Sequence, residues 1–390
     1  MARRIQPFWY AILLVLAVAL ALYGYHLATG MTPPRAAVVI LGFPIYWYGI
    51  WIITGVALGA WVASYLAAER ATAVFEAAVP EELRQRPLPK AAFSAETRAQ
   101  LDGRKLSTVG ALLWEIGLDA RRLGMKQPQL AEIKDALAAE PGVVPGWLQD
   151  APWRIWNPDH AWNALIVILI LGLIGARLYH VLTPSPSMAA IGIDSPLDYF
   201  RDPVQLLNFR GGGLGIFGGI AGGLLGLILY TRRNRIPTLG WADLSVVGLA
   251  LGQAIGRWGN FFNQELYGSP TDLPWAVHID PIYRLPDYAA FERFHPAFLY
   301  ESLWSLATFL VLYRLARHRR ERLLPGELTA LYLIAYSIGR ILLEQIRLDS
   351  RVTTLFGLET MFAVATLVSA FIALLAALAI LIRRRIRRPA

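Results

Sequence analysis

The chain has 390 residues, of which 56% are hydrophobic and 17% charged, and its formal net charge is +9. A soluble domain usually carries about 25% charged residues, so this composition, with a mean hydropathy of +0.44, excludes a single soluble globular domain. The absence of cysteine excludes structural disulfides, a thiolate nucleophile of the chain's own and cysteine-ligated metal.

Apolar runs of about 20 residues, enough to cross a hydrocarbon core of about 30 Å, recur along the chain. Eight are visible, at residues 8–28, 45–67, 162–181, 212–230, 241–262, 296–313, 328–346 and 361–382. The sequence therefore predicts an all-α fold, a polytopic helical membrane protein with about eight transmembrane helices. The first run follows Arg3 and Arg4, as in a secretory signal. No convincing cleavage site follows it, so a retained helix is favoured over a cleaved signal.

The distribution of basic residues predicts the orientation of these helices. If the helices alternate from a cytoplasmic start, 27 of the 37 Lys and Arg residues fall on the inner side and seven on the outer side. Basic residues are enriched in cytoplasmic loops, so both termini are predicted to be cytoplasmic. The basic C-terminal tail is expected to lie against anionic membrane lipids, and the positive charge requires no nucleic acid.

One segment departs from the apolar pattern: residues 69–160 contain 12 basic and 13 acidic side chains. Apolar residues from Val109 to Leu123 follow helical spacing, with Ser107 as a plausible N-cap. A second helix is predicted at 129–139, before Pro141. Residues 69–156 are thus predicted to form a charged cytoplasmic helical insert. It is either a docking or membrane-surface module or a solvated helical hairpin, and its role stays open.

Ionisable side chains interrupt several of the apolar runs. They are Arg177, Asp243, Arg257, Glu301, Arg340 and Glu344. Such residues are costly in a membrane and are functional candidates by default. At about 1.5 Å per residue, Arg257 and Arg340 lie about 24 and 18 Å along their outward-running helices, and Arg177 also lies near an outer helix end. Asp243 alone lies at the inner edge.

Three arginines in the outer half of the bundle indicate an anionic ligand. A guanidinium holds phosphate in a bidentate fork, so a phospholipid head group is the favoured ligand. The alternative is pairing that only fixes helix register, as between Arg340 and Glu344 at i,i+4.

Two local motifs add to this prediction. In the first, Arg257, Asn260, Asn263 and Glu265 lie at a helix end that Gly268 follows, and such polar groups at membrane depth usually line a cavity. The second is the glycine-rich stretch 211–223. Its distal glycines are expected to serve helix packing, whereas Gly212 and Gly213 either pack or present backbone amides to a phosphate.

The motif Arg257-x-Gly-Asn260-Phe-x-Asn263-x-Glu265-x-x-Gly268 resembles the signature of the bacterial prolipoprotein diacylglyceryl transferase family. Four further segments are similar to motifs of that family and occur in its order: Trp47-Tyr48-Gly49, Gly175-Ala-Arg177, His295-Pro-x-x-Leu-Tyr-Glu301 and Arg340-x-x-x-Glu344-x-x-Arg347. The resemblance implies a membrane catalytic core at 44–68 and 157–388. Residues 1–30 would be an extra N-terminal transmembrane helix.

The resemblance also implies an activity and its partners. The expected enzyme transfers the diacylglyceryl group of phosphatidylglycerol to the cysteine sulfur of a prolipoprotein lipobox peptide, at the outer-leaflet side of the bacterial inner membrane. A thioether forms and glycerol phosphate leaves. No cofactor is implied, and the six histidines show no metal-ligand spacing.

Roles for the matching residues follow from the same resemblance and from the phosphate chemistry of the leaving group. Arg257 and Arg340 are expected to clamp the phosphate, and Arg177 and Arg347 are further binding candidates. Asn260 and Asn263 are expected to orient lipid or phosphate oxygens, Glu265 and Glu344 to position the arginines, and Tyr48 to donate a hydrogen bond to the head group. The remaining lipid-binding candidates are Gly268, Gly212, Gly213 and His295.

One position departs from the family pattern. Phe217 occupies the place where many members carry a histidine. The group that accepts the thiol proton is therefore left open between His295, His180 and no side chain at all, since nearby arginines can lower a thiol pKa. The main alternative function is a carrier or flippase for an anionic lipid or metabolite.

Overall fold

The computed structural model describes residues 6–184, 188, 192–193, 195–201, 213–348, 354–355, 358–359 and 363–386. These residues are mainly helical. In chain order the helices are α1 (Pro7–Thr29), α2 (Trp47–Ala78), α3 (Glu81–Gln85), α4 (Ala95–Gly103), α5 (Val109–Asp119), α6 (Gln127–Ala138), α7 (Asp159–Leu182), α8 (Pro196–Arg201), α9 (Ile216–Arg233), α10 (Thr238–Gly256), α11 (Trp258–Asn263), α12 (Ala297–His318), α13 (Glu327–Glu344) and α14 (Val364–Ile386).

Short antiparallel strand pairs occur in the connections, which the all-α prediction did not include. The strands are β1 (Ala36–Ile40) with β2 (Phe43–Tyr46), β3 (Val277–His278) with β4 (Arg293–Phe294), and β5 (Thr354–Leu355) with β6 (Leu358–Glu359). The β1–β2 hairpin turns at Leu41 and Gly42, both with positive φ. Its apolar side chains are exposed, and no charged residue occurs between Arg35 and Glu69.

Each of the eight predicted apolar runs coincides with a long helix, the fifth being formed by α10 and α11 together. Within the described residues, five helical segments are long and apolar enough to cross a membrane: α1, α2, α7, α10 with α11, and α14. The other three, α9, α12 and α13, each include two or more charged residues. The prediction of a helical membrane protein is thus confirmed.

The chain divides into two compact units, Met1–Ala63 with Leu239–Ala390, and Ser64–Thr238. In the first unit, glycines bring α2 and α10 together. Gly55 and Gly59 on α2 approach Gly252 and Gly248 on α10, one turn apart on each helix. A stripe of small residues with this spacing lets two helix backbones touch.

The substitution Gly59→Ala should therefore destabilise the first unit. A Cβ at Gly59 would lie 2.5 Å from the carbonyl oxygen of Gly248, and the obstructing atom is backbone. Overpacking of this kind costs about 1–3 kcal/mol. Thermal unfolding of the detergent-purified protein measures the effect. Gly24→Ala is the matched control, since no atom lies within 4 Å of its Cβ, and equal stability of the two variants would contradict the packing argument.

Two further groups in this unit have structural partners. Asp243, a functional candidate by default in the sequence, accepts hydrogen bonds from the backbone N–H groups of Gly326 and Thr329 at 2.7 and 2.9 Å. It also accepts one from the Thr329 hydroxyl, so it caps the start of α13. At that same end Arg384, from the basic tail, binds the buried Glu327 with two hydrogen bonds of 2.6 and 2.9 Å.

In the second unit the charged insert builds a core of its own. Its buried apolar residues are Ala71, Phe75, Val79, Leu83, Leu88, Phe93, Leu101, Val109, Leu112, Leu113, Ile116, Leu118, Leu123, Leu130, Ile133, Leu137, Val143, Trp147, Ala151 and Trp153. The predicted second helix is observed as α6. The predicted N-cap Ser107 is wrong by one residue, because the extended residue before α5 is Thr108, whose hydroxyl accepts from the N–H of Ala111 at 3.2 Å.

Helices α7 and α9 of this unit also pack through glycines. A Cβ on Gly218 or Gly222 would overlap the backbone carbonyl of Gly175 or Leu171. The interpretation of the distal glycines as packing residues is therefore confirmed for these two positions.

Candidate active site

The site in the first unit begins at a break in the fifth apolar run. Helix α10 ends at Gly256, and the six-residue helix α11 ends at Asn263. Gln264 and Leu266, on either side of Glu265, both have left-handed backbone conformations, with φ of 52° and 55°. This conformation is costly for residues other than glycine and tends to occur at functional sites.

The consequence of this backbone path is a carboxylate held by two amides. Asn260 and Asn263 each donate a side-chain N–H to Oε1 of Glu265, at 2.8 and 3.1 Å. The backbone N–H of Glu265 bonds the carbonyl of Asn260 at 3.2 Å. Three residues of the sequence motif therefore form one polar group, with Asn260 buried.

A second polar group is centred on Glu301 of α12, which pairs with an arginine from each of two other segments. Glu301 pairs through Oε2 with Nε of Arg257 at 2.5 Å and through Oε1 with Nη1 of Arg347 at 3.4 Å. The side chains of Glu301 and Arg347 are 9% and 8% exposed, whereas that of Arg257 is 29% exposed. One carboxylate thus faces two guanidinium groups, and the more accessible cation is Arg257.

Arg340 takes part in a separate ion pair. Its Nη2 lies 2.8 Å from Oε2 of Glu344, one turn further along α13. The Glu344 side chain is 4% exposed and that of Arg340 24% exposed. This is the local pairing that the sequence offered as the alternative to phosphate binding, and it leaves part of the guanidinium accessible.

Gly268 joins three of the predicted segments through backbone contacts. Its N–H donates to the carbonyl of His295 at 2.9 Å, and it forms an isolated β-bridge with Arg347. A Cβ at this position would lie 2.9 Å from Cβ of His295 and 3.0 Å from the carbonyl oxygen of Ile346. Glycine is required here because three chain segments meet closely.

The loop beyond Gly268 is fixed by its own hydrogen bonds. The Tyr267 hydroxyl donates to the carbonyl of Tyr283 at 3.0 Å and accepts from the N–H of Leu285 at 2.7 Å. Burial raises the pKa of the Tyr267 phenol, against the opposing effect of the Leu285 bond, so Tyr267 stays neutral at physiological pH. The side-chain amide of Gln264 exchanges two hydrogen bonds with Asp280, at 2.6 and 2.7 Å.

Two cavities meet at Asn263. The larger has a volume of about 400 Å³ and an apolar lining of Ile45, Tyr46, Tyr48, Gly49, Ile50 and Ile53. The smaller has a volume of about 240 Å³ and a mixed lining, in which Arg35, Gln264 and Glu265 lie beside apolar residues such as Leu266 and Leu285. The ring of Tyr48 lies against Gly259, where a Cβ would approach Cδ2 of Tyr48 to 2.6 Å. An amphiphile with an apolar tail and a polar head would match this pair of cavities.

Arg177 belongs to the second unit and has its own surroundings there. It is buried, it donates from Nη1 to the carbonyl of Gly213 at 2.9 Å, and it lies 5.5 Å from the ring of Tyr199. Gly213 has a φ of +84°, and a Cβ would collide with Arg177 and His180. Nε2 of His180 hydrogen-bonds the Tyr199 hydroxyl at 2.8 Å.

Two other positions of the glycine-rich stretch complete the account of the predicted residues. Gly212 lies outside the described residues. Phe217, at the position of the family's histidine, is 64% exposed, and its ring is tilted against that of Tyr179 at 5.9 Å between centroids.

The structure brings most of the predicted first-unit residues together. Asn260, Asn263 and Glu265 form one group; Arg257 and Arg347 meet at Glu301; Gly268 contacts His295. Glu301 was a functional candidate because of its charge inside an apolar run, but the prediction assigned it no role at the site. Arg35 was also missed, because nothing in its local sequence indicates that Nη2 reaches the carbonyl of Asn263 at 2.6 Å.

These observations define a helical membrane protein with a cationic, amide-rich site at a broken helix. A sequence profile described as prolipoprotein diacylglyceryl transferase matches residues 143–382, more than half of the chain. The chain belongs to that family. Helix α1, the β1–β2 hairpin, all of α2 and most of the insert precede the matched range.

Relatives that carry the name of this family agree with this assignment. The chain is 44% identical over 210 residues to the phosphatidylglycerol–prolipoprotein diacylglyceryl transferase of Chloroflexus aggregans, covering 50% of this chain and 65% of the relative. The enzyme of the same name from Synechococcus elongatus is 47% identical over 191 residues, covering 48% and 62%. That from Gloeobacter violaceus is 44% identical over 214 residues, covering 54% and 75%. The matched stretch thus spans less than two thirds of the first two relatives.

Proposed function

We propose that this protein transfers the diacylglyceryl group of phosphatidylglycerol to the cysteine sulfur of a prolipoprotein lipobox peptide. The observation that carries the proposal is the Arg257–Glu301–Arg347 arrangement beside Asn260, Asn263 and Glu265, in a chain of this family. Arg257, whose side chain is 29% exposed, presents beside that carboxylate a guanidinium that a phosphate can reach.

The reaction breaks the bond between a glycerol carbon of the diacylglyceryl group and a phosphate oxygen. The substrate sulfur forms a new bond to that carbon, and glycerol phosphate leaves with the bond's electron pair. Negative charge grows on the departing phosphate oxygen, and preorganised cations in a dry site stabilise such a change by several kcal/mol. The thiol gives up its proton as the thioether forms.

Roles for the site residues follow from their accessibility and partners. Arg257, the more exposed partner of Glu301, clamps the phosphate, and Arg340 serves as a second clamp with Glu344 fixing its orientation. Arg347 supports Arg257 through Glu301. Because Glu265 already accepts from both asparagine amides, the side-chain oxygens of Asn260 and Asn263 are left to orient substrate groups.

The remaining candidates bind the lipid or accept the proton of the substrate thiol. Tyr48 lines the apolar cavity and contributes a hydroxyl to the lipid head group, with acyl chains along the same wall. His295 is the candidate proton acceptor in the first unit. Arg177 and Gly213 act in lipid binding within the second unit, where His180 is the alternative acceptor. Arginine-promoted ionisation of the thiol needs neither histidine.

The proposal includes a membrane topology. Eight helices cross the bacterial inner membrane, both termini and the 69–156 insert are cytoplasmic, and the catalytic site opens towards the outer leaflet. The excess of basic residues on the inner side supports this arrangement. Residues 44–68 and 157–388 form the catalytic core, and residues 1–30 add a transmembrane helix to it.

Mass spectrometry tests the activity directly. A lipobox-type peptide, incubated with the purified protein in phosphatidylglycerol-containing nanodiscs, should gain the mass of one diacylglyceryl group. A Cys→Ser peptide should gain nothing, and replacing phosphatidylglycerol by phosphatidylcholine should abolish the gain. An unmodified cysteine peptide in the presence of folded protein and lipid would overturn the transferase proposal and favour an anionic-lipid carrier.

A further inference from the structure

Helix α1 lies outside the matched family range, yet it packs along the catalytic part of the first unit. Its buried residues Phe8, Ile12, Ala19, Tyr23 and His26 are three to seven positions apart, as on one helix face. Near its start, Phe8 and Trp9 contact the Tyr313 ring of α12 edge-on, at 6.1 and 5.2 Å between centroids. A helix that only anchored the chain would not need a continuous buried face.

Near its other end, α1 contacts the elements that carry the site. The Tyr23 ring meets Trp258 and Phe261 of α11, and Phe298 of α12, edge-on at centroid distances of 5.7–6.1 Å. Helix α11 carries Asn260 and Asn263, and α12 carries Glu301 one turn after Phe298. The 5%-exposed Tyr23 side chain thus fills the angle between the two elements.

Polar bonds extend this contact into the outer loop. The Tyr23 hydroxyl donates to the carbonyl of Trp275 at 2.7 Å. The indole N–H of Trp275 donates to the Tyr300 hydroxyl at 2.9 Å, and that hydroxyl lies 3.2 Å from Nδ1 of His295. A continuous series of bonds therefore connects α1 to His295.

His26 makes a second connection. Its ring is 1% exposed, stacks on Tyr23 and meets Phe261 edge-on at 5.2 Å. Nε2 accepts the backbone N–H of His278 at 3.0 Å, which requires the proton to be on Nδ1, where the carbonyl of Met31 lies at 3.2 Å. His26 therefore fixes strand β3 to the end of α1.

We propose that α1 is a positioning element of the transferase site, and that Tyr23 and His26 are its positioning residues. They hold α11 and the 264–295 loop in the geometry that aligns Asn260, Glu265 and His295 on the substrate. This inference rests on the proposed transferase function. Geometric errors of about 1 Å at a reacting centre can lower a rate 10²-fold, so the bonds of α1 act on kcat without α1 touching substrate.

Steady-state kinetics on the full-length protein test the inference. His26→Leu should lower kcat by about 10²-fold and Tyr23→Phe by about 5–10-fold, with KM for phosphatidylglycerol changed less than about twofold. His26→Gln should recover most of the rate, because its amide oxygen can accept the same N–H. Tyr25→Phe is the control on the same helix, since Tyr25 is 47% exposed.

Hydrogen–deuterium exchange supplies a readout that does not depend on turnover. Peptides covering 272–284 should exchange at least about tenfold faster in His26→Leu than in the wild type. Their exchange rate in Tyr25→Phe should equal that of the wild type. If the wild type transfers no lipid, the proposed function fails, while loss of exchange protection still supports positioning by α1. Wild-type kcat and wild-type protection in both His26→Leu and Tyr23→Phe would overturn the inference.

Discussion

Arg257→Ala is expected to lower the rate of diacylglyceryl transfer by about 10²–10³-fold while leaving the protein folded. The rate falls because a preorganised cation at developing negative charge is worth about this factor. The fold survives because Glu301 keeps its second partner, Arg347, at 3.4 Å. Single-turnover transfer to a lipobox peptide, with thermal unfolding measured in parallel, separates the two effects.

Two further variants make this prediction specific. Arg257→Lys keeps the charge but loses the bidentate fork, so an intermediate loss of about tenfold is expected. Arg314→Ala, an exposed arginine on α12, removes the same side chain away from the site and should retain full activity. Transfer at the wild-type rate by Arg257→Ala would eliminate the phosphate-clamp role of this residue.

Glu301→Gln is expected to have the largest effect on stability, about 3–5 kcal/mol. Removing one member of a buried ion pair leaves an uncompensated charge, and here a single substitution removes a carboxylate that pairs with both Arg257 and Arg347. Transfer should fall as well, because Arg257 loses the group that holds its Nε. Unfolding in detergent, followed by intrinsic tryptophan fluorescence, reports the change in free energy.

The control for Glu301 is Glu321→Gln. Glu321 is exposed in the turn after α12, and surface substitutions of this kind usually change stability by less than about 0.5 kcal/mol. A double variant, Glu301→Gln with Arg347→Gln, should recover part of the lost stability, since it removes one of the two cations that faced the lost carboxylate. Equal stability of Glu301→Gln and the wild type would show that the ion pairs of Glu301 with Arg257 and Arg347 do not stabilise the fold.

The helices were predictable from sequence, because burial in lipid imposes a long apolar run on every spanning segment. The residue types of the site were predictable for a related reason. Charges such as Arg257 are expensive in an apolar run, so their presence alone marks them as candidates. Local spacing also anticipated the pairing of Arg340 with Glu344.

What sequence could not give was the choice of partner across the fold. Glu301 and Arg347 are 46 residues apart, and no local pattern relates them. Asp243 looked like a site residue, but its partners are the backbone amides at the start of α13. Tyr23 and His26 are buried by aromatic residues more than 200 positions later in the chain. Because α1 is apolar on all sides, its sequence does not indicate which of its faces makes these contacts.

The β1–β2 hairpin forms one side of the larger cavity, and much of its apolar surface is exposed. Ile45 and Tyr46 of β2 line that cavity, and Leu41 at the turn is 93% exposed. Apolar side chains so exposed need a surrounding amphiphile to cover them. The surrounding detergent or lipid therefore completes the lining of this cavity. Because micelles and bilayers would complete it differently, kinetic constants measured in the two describe different binding sites.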